Sequence, residues 1–511
     1  MRDMKRPFVS AALLVCLVGA GGGAAEDFDE LAAGARLALD TGRFKEAEGL
    51  FQRAAFANPR RLEELGPDYA WIYVLWGFEA ARADNYDDAN GFFGRAAQLC
   101  PSLKDTFVKQ WLHVAGWVVG LGTDKARKSG AATDWEKVEK DAKALVSIRP
   151  DHPRSHYLSG LVYHFQHKNE EATEEYKAAL GDKAPSGTGS LNDLYEAAHK
   201  VSDEHPYNCK LGTPVHPQWK EADPGDFQVL KKGRFKIYHH NKLVAQRVAA
   251  ALEYYLYQPV LGGFISPKDM PSSDCEVYIY RTHEELIATT DKNRWQGGRA
   301  EQKDRIGTYN RDVILVYQAM PVMTQKSVPH ELAHLRFYRT AYIRAKLMKW
   351  LWEGVASSAE GAMPRRRTAE QLVKAREDGK LIPAQQLLEI TEWPKDESVI
   401  LIIYAESQAL VESVVEKCGI EKFRQLADAF YVPTGEDMEG QFTDEDGQVV
   451  KPAEKFRDIC GLSARDLDNM ILAWATKYAN DDLGAPGTVR REPPQKQQPA
   501  KGAPSARTTK K

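Results

Sequence analysis

His330, Glu331 and His334 are the residues of this chain best spaced to do chemistry, and they spell the pattern H-E-x-x-H. Residues four apart on an α-helix lie one turn apart on one face, so both imidazoles can reach one point. A zinc ion, which takes imidazole nitrogen at about 2.0–2.1 Å, suits that point. Glu331, one step round the helix, would then sit beside the open coordination position. There it could take a proton from a zinc-bound water whose pKa the metal lowers to roughly 7. A catalytic zinc needs a third protein ligand. Glu353, in Trp350-Leu351-Trp352-Glu353-Gly354, follows His334 with eighteen residues between. That length lets the first helix run on, reverse, and start a second helix that returns a carboxylate to the metal. Structural zinc sites usually close their tetrahedron with cysteine, and no Cys lies near this stretch, so the pattern points to a catalytic ion.

These residues need elements to position them. Ser327 is placed to cap the metal helix, with Pro329 in the first turn where a missing N–H costs nothing. Val328, Leu332, Ala333, Leu335 and Phe337 predict a helix buried on most sides. Upstream, strand signals begin at Phe227. Residues 234–239 alternate, Lys242–Tyr257 has helical spacing, Cys275–Tyr280 is rich in Val, Ile and Tyr, and residues 312–317 form a third strand. Placed just before the metal helix, residues 312–317 read as an edge strand whose free backbone could pair with an extended peptide. The pairs His239-His240 and His283-Glu284 lack a following His at the needed offset and read as ordinary surface or strand residues. After Glu360 the chain reads as helical to Asn480. Arg365-Arg366-Arg367 is expected in a solvated turn, residues 399–417 in a strongly apolar helix, and residues 433–451 in an acidic loop that could edge the cleft.

HELAH, eighteen residues, then WEG resembles the gluzincin metallopeptidases, the thermolysin-like group with glutamate as third ligand. It is most similar to the peptidase MA-like branch, often joined to tetratricopeptide repeats. The resemblance spans roughly residues 226–480. It implies His330, His334 and Glu353 as zinc ligands and Glu331 as general base, with peptide-bond hydrolysis as the activity. The run from Glu353 to Glu360 is similar to the NEGFA segment of gluzincin aminopeptidases, with Trp352 standing where their Asn stands. That likeness gives Glu360 the task of orienting a ligand histidine; the plainer alternative is an exposed helix residue. Tyr404, in Tyr404-Ala405-Glu406-Ser407, resembles a tyrosine on the helix that follows the zinc ligands, where its hydroxyl could stabilise an oxyanion; a core tyrosine is the alternative. Residues 316–321 lack the G-x-M-E-N element with which gluzincin aminopeptidases hold an amino terminus, which argues against exopeptidase action there.

The remaining chain sets the frame. Its 511 residues leave room for two or three domains. Lys+Arg 69 against Asp+Glu 72 gives nothing global that points to nucleic acid. Residues 1–25 run from Arg2, Lys5 and Arg6 through an apolar stretch to small residues, the order of a secretory signal peptide, so export to a periplasmic or extracellular space is expected. The apolar run is short for a membrane span, although an uncleaved anchor stays open. Of 6 cysteines, Cys16 would leave with the signal; Cys100, Cys209, Cys275, Cys418 and Cys460 remain, with no pairing deducible. Residues 26–185 match tetratricopeptide-like repeats: Gly42, Phe44, Ala47, Phe51 and Pro59 in one, Tyr73, Trp76, Gly77, Phe93 and Pro101 in the next, Gly160, Tyr163 and Tyr176 in a later one. Residues 106–130 are too irregular to assign, though Trp111 and Trp117 suggest a packed helix. Residues 186–225 read as a linker with a short helix at Leu191–Val201, in which His205, Cys209 and His216 are solvated. From residue 483 the composition predicts disorder.

The expected architecture is therefore multidomain: an all-α tetratricopeptide-like solenoid at 26–185, a linker, and an α+β thermolysin-like zincin domain at 226–482 with a mixed sheet, an active-site helix and a helical subdomain. The expected function is an exported zinc metallopeptidase acting on peptide or protein substrates, its repeats offering a surface for a partner or substrate. Two alternatives stay open: an inactive adaptor with a degenerate peptidase fold, and a zinc hydrolase of a non-peptide amide.

Overall fold

The computed structural model describes residues 27–82, 85–148, 150–183, 190–201, 216, 225–266, 275–290, 298–303, 311–318, 322–340, 348–430 and 451–480. The signal-like segment, His205, Cys209, most of the acidic loop and the carboxyl-terminal tail lie outside the described residues. Among the described residues the protein is mostly helical, with one mixed sheet.

Helices come first, in antiparallel pairs: α1 (Phe28–Asp40) with α2 (Phe44–Ala57), α3 (Leu62–Arg82) with α4 (Tyr86–Leu99), α5 (Lys104–Ser129) with α6 (Ala132–Ile148), and α7 (Pro153–Phe165) with α8 (Asn169–Leu180), followed by α9 (Leu191–Val201). The stretch at 106–130 that resisted assignment is one continuous helix. Small residues let the paired helices touch. A Cβ at Gly77 would lie 2.7 Å from the Phe93 ring, and one at Gly160 would lie 2.7 Å from the Tyr176 ring. The two glycines make equivalent contacts in the second and fourth pairs.

The sheet follows the order β1-β2-β3-β5-β4, with β1 (Gln228–Lys232), β2 (Phe235–His239), β3 (Cys275–Tyr280), β4 (Gly298–Lys303) and β5 (Arg311–Tyr317). Strands β2, β3 and β5 run parallel, while β1 and β4 pair antiparallel at the two ends. In register, Val277 faces Ile314 and Ile279 faces Val316, and these side chains point to the same core as Ile237. That face is covered by α10 (Lys242–Tyr257) and by the metal helix α12 (Val328–Thr340); the opposite face carries α11 (His283–Thr290). Residues 312–317 thus form an internal strand, flanked by β3 and β4, and not the expected edge. The strand that ends the described sheet beside α12 is β4. Its charged sequence, with no apolar alternation, hid it from a periodicity reading.

Beyond α12 lie α13 (Lys349–Ser357), α14 (Ala362–Glu377), α15 (Ala384–Glu389), α16 (Glu397–Cys418), α17 (Ile420–Ala429), α18 (Pro452–Cys460) and α19 (Ala464–Ala479). Helix α16 is long and apolar enough to cross a membrane, yet 67% of that stretch is buried within the protein, against α13, α14 and α19. The arginines at 365–367 are half-buried within α14, not in a solvated turn. Arg365 pairs with Glu412, Arg366 with Glu370, and Arg367 with Glu79 of α3.

Two hydrophobic cores meet at α12. Val328, Leu332 and Leu335 join a core that runs without a break from α1–α5 through α10 to the sheet, while Ala333 and Phe337 join the core of α13–α19. The first helical pairs are therefore packed into the sheet. Between them Arg247 of α10 grips Asp40 with two nitrogens and reaches Asp68 at 2.8 Å; Asp68 also takes Arg36 at 2.8 Å. His216, expected in solvent, is fully buried here, edge-on to Trp71 and 3.6 Å from Asp68. Burial pushes its pKa down to about 4, against the pull of Asp68.

Candidate metal centre

The metal helix does not begin at a Ser327 cap. A π-helical turn at Met323–Ser327 runs directly into α12, and Ser327 is buried within it. Pro329 accounts for this. It has no N–H to give to the Gln325 carbonyl four residues back, so the helix widens there. The freed Gln325 carbonyl accepts instead from Gly361 N–H at 2.7 Å, which draws the segment after α13 against the start of α12.

From this helix His330 and His334 project together, their ring centroids 4.7 Å apart. Glu353 arrives from α13, which Trp350 and Leu351 anchor in the second core. Gly354 lets α13 close on α16: a Cβ there would lie 2.5 Å from the Ser407 carbonyl oxygen. The Trp352 ring stacks on His334 at 4.4 Å and holds its plane. The result is that Glu353 Oε2 lies 3.3 Å from His330 Nε2 and 3.4 Å from His334 Nε2, with all three residues buried. Neither contact is aligned as a hydrogen bond. Tetrahedral bonds of about 2.0–2.1 Å place neighbouring ligand atoms about 3.3–3.4 Å apart. The ligand atoms of the three residues all lie within 4.8 Å of one another, and the group could hold a metal ion.

The surroundings favour that use. His330 Nδ1 meets Glu360 Oε1 at 2.9 Å, so this nitrogen donates and leaves the Nε2 lone pair for a cation. Glu360 is buried, which removes the reading of it as an exposed helix residue. Burial works against charge on His330, but its contacts with Glu353 and Glu360 raise its pKa to about 10. Burial likewise pushes Glu353 up, and the two imidazoles overcome it and bring the carboxylate to about 2. A cation entering here displaces imidazole protons, as metal ligation requires.

Glu331 is buried beside the three, under β4. A Cβ at Gly298 would lie 2.8 Å from Glu331 Oε1, and the Ala300 backbone amide bonds the carboxylate. Burial and the nearby Glu353 charge raise the Glu331 pKa to about 7. Tyr404 stacks on Trp393 at 5.1 Å, and its hydroxyl contacts Glu353; its ring centroid is 6.1 Å from that of His330. Burial first, then Glu353, lift its pKa well above the ordinary value. Every candidate residue read from the sequence thus lies in one cluster. Sequence reasoning missed Gln325, Gly298 and the strand that carries it; a lone glycine in a charged stretch was the available signal for β4. The pairs at 239–240 and 283–284 lie elsewhere: His239 ends β2, as a strand residue, and both it and His240 are buried.

Comparison with known protein families, with characterised proteins and with solved structures finds no match to this chain.

Proposed function

We propose that this chain is an exported zinc-dependent metallopeptidase of gluzincin type, with tetratricopeptide-like helical pairs ahead of a zincin-like sheet and metal helix. The observation that carries this reading is the convergence of the three side chains, Glu353 Oε2 lying 3.3 and 3.4 Å from the Nε2 atoms of His330 and His334 and all three ligand atoms within 4.8 Å of one another, with Glu331 beside them. Two nitrogens and one carboxylate oxygen suit zinc, and three protein ligands leave a position open for chemistry. When bound, zinc would polarise a carbonyl and lower the pKa of a water to roughly 7.

The chain's own residues supply the rest. Glu331 takes a proton from the attacking water and passes it to the leaving amine. Tyr404, on the same side as Glu353, donates to the oxyanion as the carbonyl becomes tetrahedral. Strand β4, laid against Glu331, offers its backbone to an extended peptide, which would favour peptides over other amides and tolerate many sequences. The presence of Glu331, which hydrolysis needs and metal binding does not, weighs against a purely adaptor role.

Glu331→Gln is expected to keep one zinc per chain and lose turnover of denatured protein substrates by at least about 10²-fold, the lower end of a general base's contribution. The check is a peptide digest with and without chelator, beside metal analysis. Unchanged turnover in the variant would remove Glu331 from the chemistry; wild-type hydrolysis of non-peptide amides alone would replace peptides as the substrate.

A further inference from the structure

We propose that Gln325 is a positioning residue through which the turn between α1 and α2 holds the metal site; this rests on the metal reading above. The links are short and sequential. The Gln325 side-chain amide donates to the Leu39 carbonyl at 3.3 Å, in the last turn of α1. Gly42, at φ +78°, brings the α1–α2 turn over that side chain, and a Cβ there would lie 3.0 Å from Gln325 Oε1. The Gln325 carbonyl, released by Pro329, takes the Gly361 N–H at 2.7 Å. A Cβ at Gly361 would lie 3.4 Å from Gln325 Cβ and 3.5 Å from the Thr41 carbonyl oxygen, so this tether is also close-packed against the turn. Glu360, the next residue back, holds His330 Nδ1 at 2.9 Å.

A second feature makes the tether matter. A cavity of about 230 Å³ lies behind the metal helix, bounded by Thr41 on one side and by Glu360, Gly361 and Arg365 on another. Close packing therefore does not hold Glu360 on that side; its backbone is placed by its own N–H to the Ser357 carbonyl at 3.1 Å and by the adjoining Gly361 bond to Gln325. Partners that orient a metal-ligating histidine typically change metal affinity 10–100-fold when lost. The turn between α1 and α2, already packed into the core of α12, thus forms part of the metal site's support.

The test uses the full chain. Gln325→Ala and Gly42→Ala act on the same link from its two sides, so the outcome does not hang on the folding of one variant. Both are expected to bind zinc about tenfold more weakly in chelator competition and to shift the visible absorption of the cobalt-substituted protein. Arg367→Ala breaks a different contact between the same units, the pair with Glu79 at 3.2 Å, and is expected to leave both readouts at wild-type values. Wild-type affinity and spectrum in both link variants, or an equal shift in Arg367→Ala, overturns the proposal. A wild-type chain that binds no zinc overturns the metal reading itself, and this proposal with it.

Discussion

The helical pairs at the two ends of the repeat region are built alike and used differently. In α1–α4 the apolar faces open into the core of the sheet, and the contact is sealed by the buried Asp40–Arg247–Asp68 cluster. In α6–α9 the apolar faces close on themselves around Leu145, Tyr157 and Tyr176, and the charged contacts among the described residues are half-buried pairs such as Lys168 with Glu139, none of them as enclosed as Arg247. Gly77 and Gly160 make the same close helix contact in each half. The difference teaches that a repeat architecture need not be uniform in role. The first pairs are packed into the unit that carries the candidate metal centre, while the later ones close on a core of their own.

Four variants test this contrast, in falling order of effect. Arg247→Ala leaves Asp40 and Asp68 buried without their shared cation and is expected to cost about 3–5 kcal/mol in denaturant unfolding, with metal released in the same transition. A loss under about 1 kcal/mol would show that the cluster does not join the two units. Next, the matched pair Gly77→Ala and Gly160→Ala should each cost about 1–3 kcal/mol by overpacking. The contrast lies in where the loss falls: Gly77→Ala should weaken metal retention on heating, and Gly160→Ala should melt the later helices while metal stays bound. Equal metal loss in both would erase the distinction. Smallest is Lys168→Ala, expected to change stability by less than about 1 kcal/mol, because the Lys168 end is half-exposed and Glu139 keeps Lys143 at 2.6 Å, and to leave metal content as it was. A larger loss there would mean that the later half is also held by its charges.

Much of the local structure was legible because local periodicity decides it. The spacing of apolar residues gave α10 and α9 their limits, and the β-branched run gave β3. The group that could hold a metal ion was legible for the same reason, since His330 and His334 share a helix face and Glu353 needs only one reversal to return. What escaped was set by partners distant in sequence. Nothing near His216 announces that Trp71 and Asp68 will bury it, and nothing near Arg365 announces Glu412. Strand β4 carries no alternation because its place is fixed by backbone pairing with β5 and by Glu331 over Gly298. The Ser327 cap failed on a local point with a distant cause: Pro329 freed a carbonyl, and Gly361 was there to take it.

Metal analysis of the wild-type chain and of Glu353→Ala after exhaustive dialysis tests the central claim most directly. One zinc per chain is expected in the wild type, with most of it lost from a Glu353→Ala variant of unchanged helical content. Equal zinc in the two would contradict the account, because the carboxylate 3.3 Å from His330 and 3.4 Å from His334 would then have no part in holding the ion.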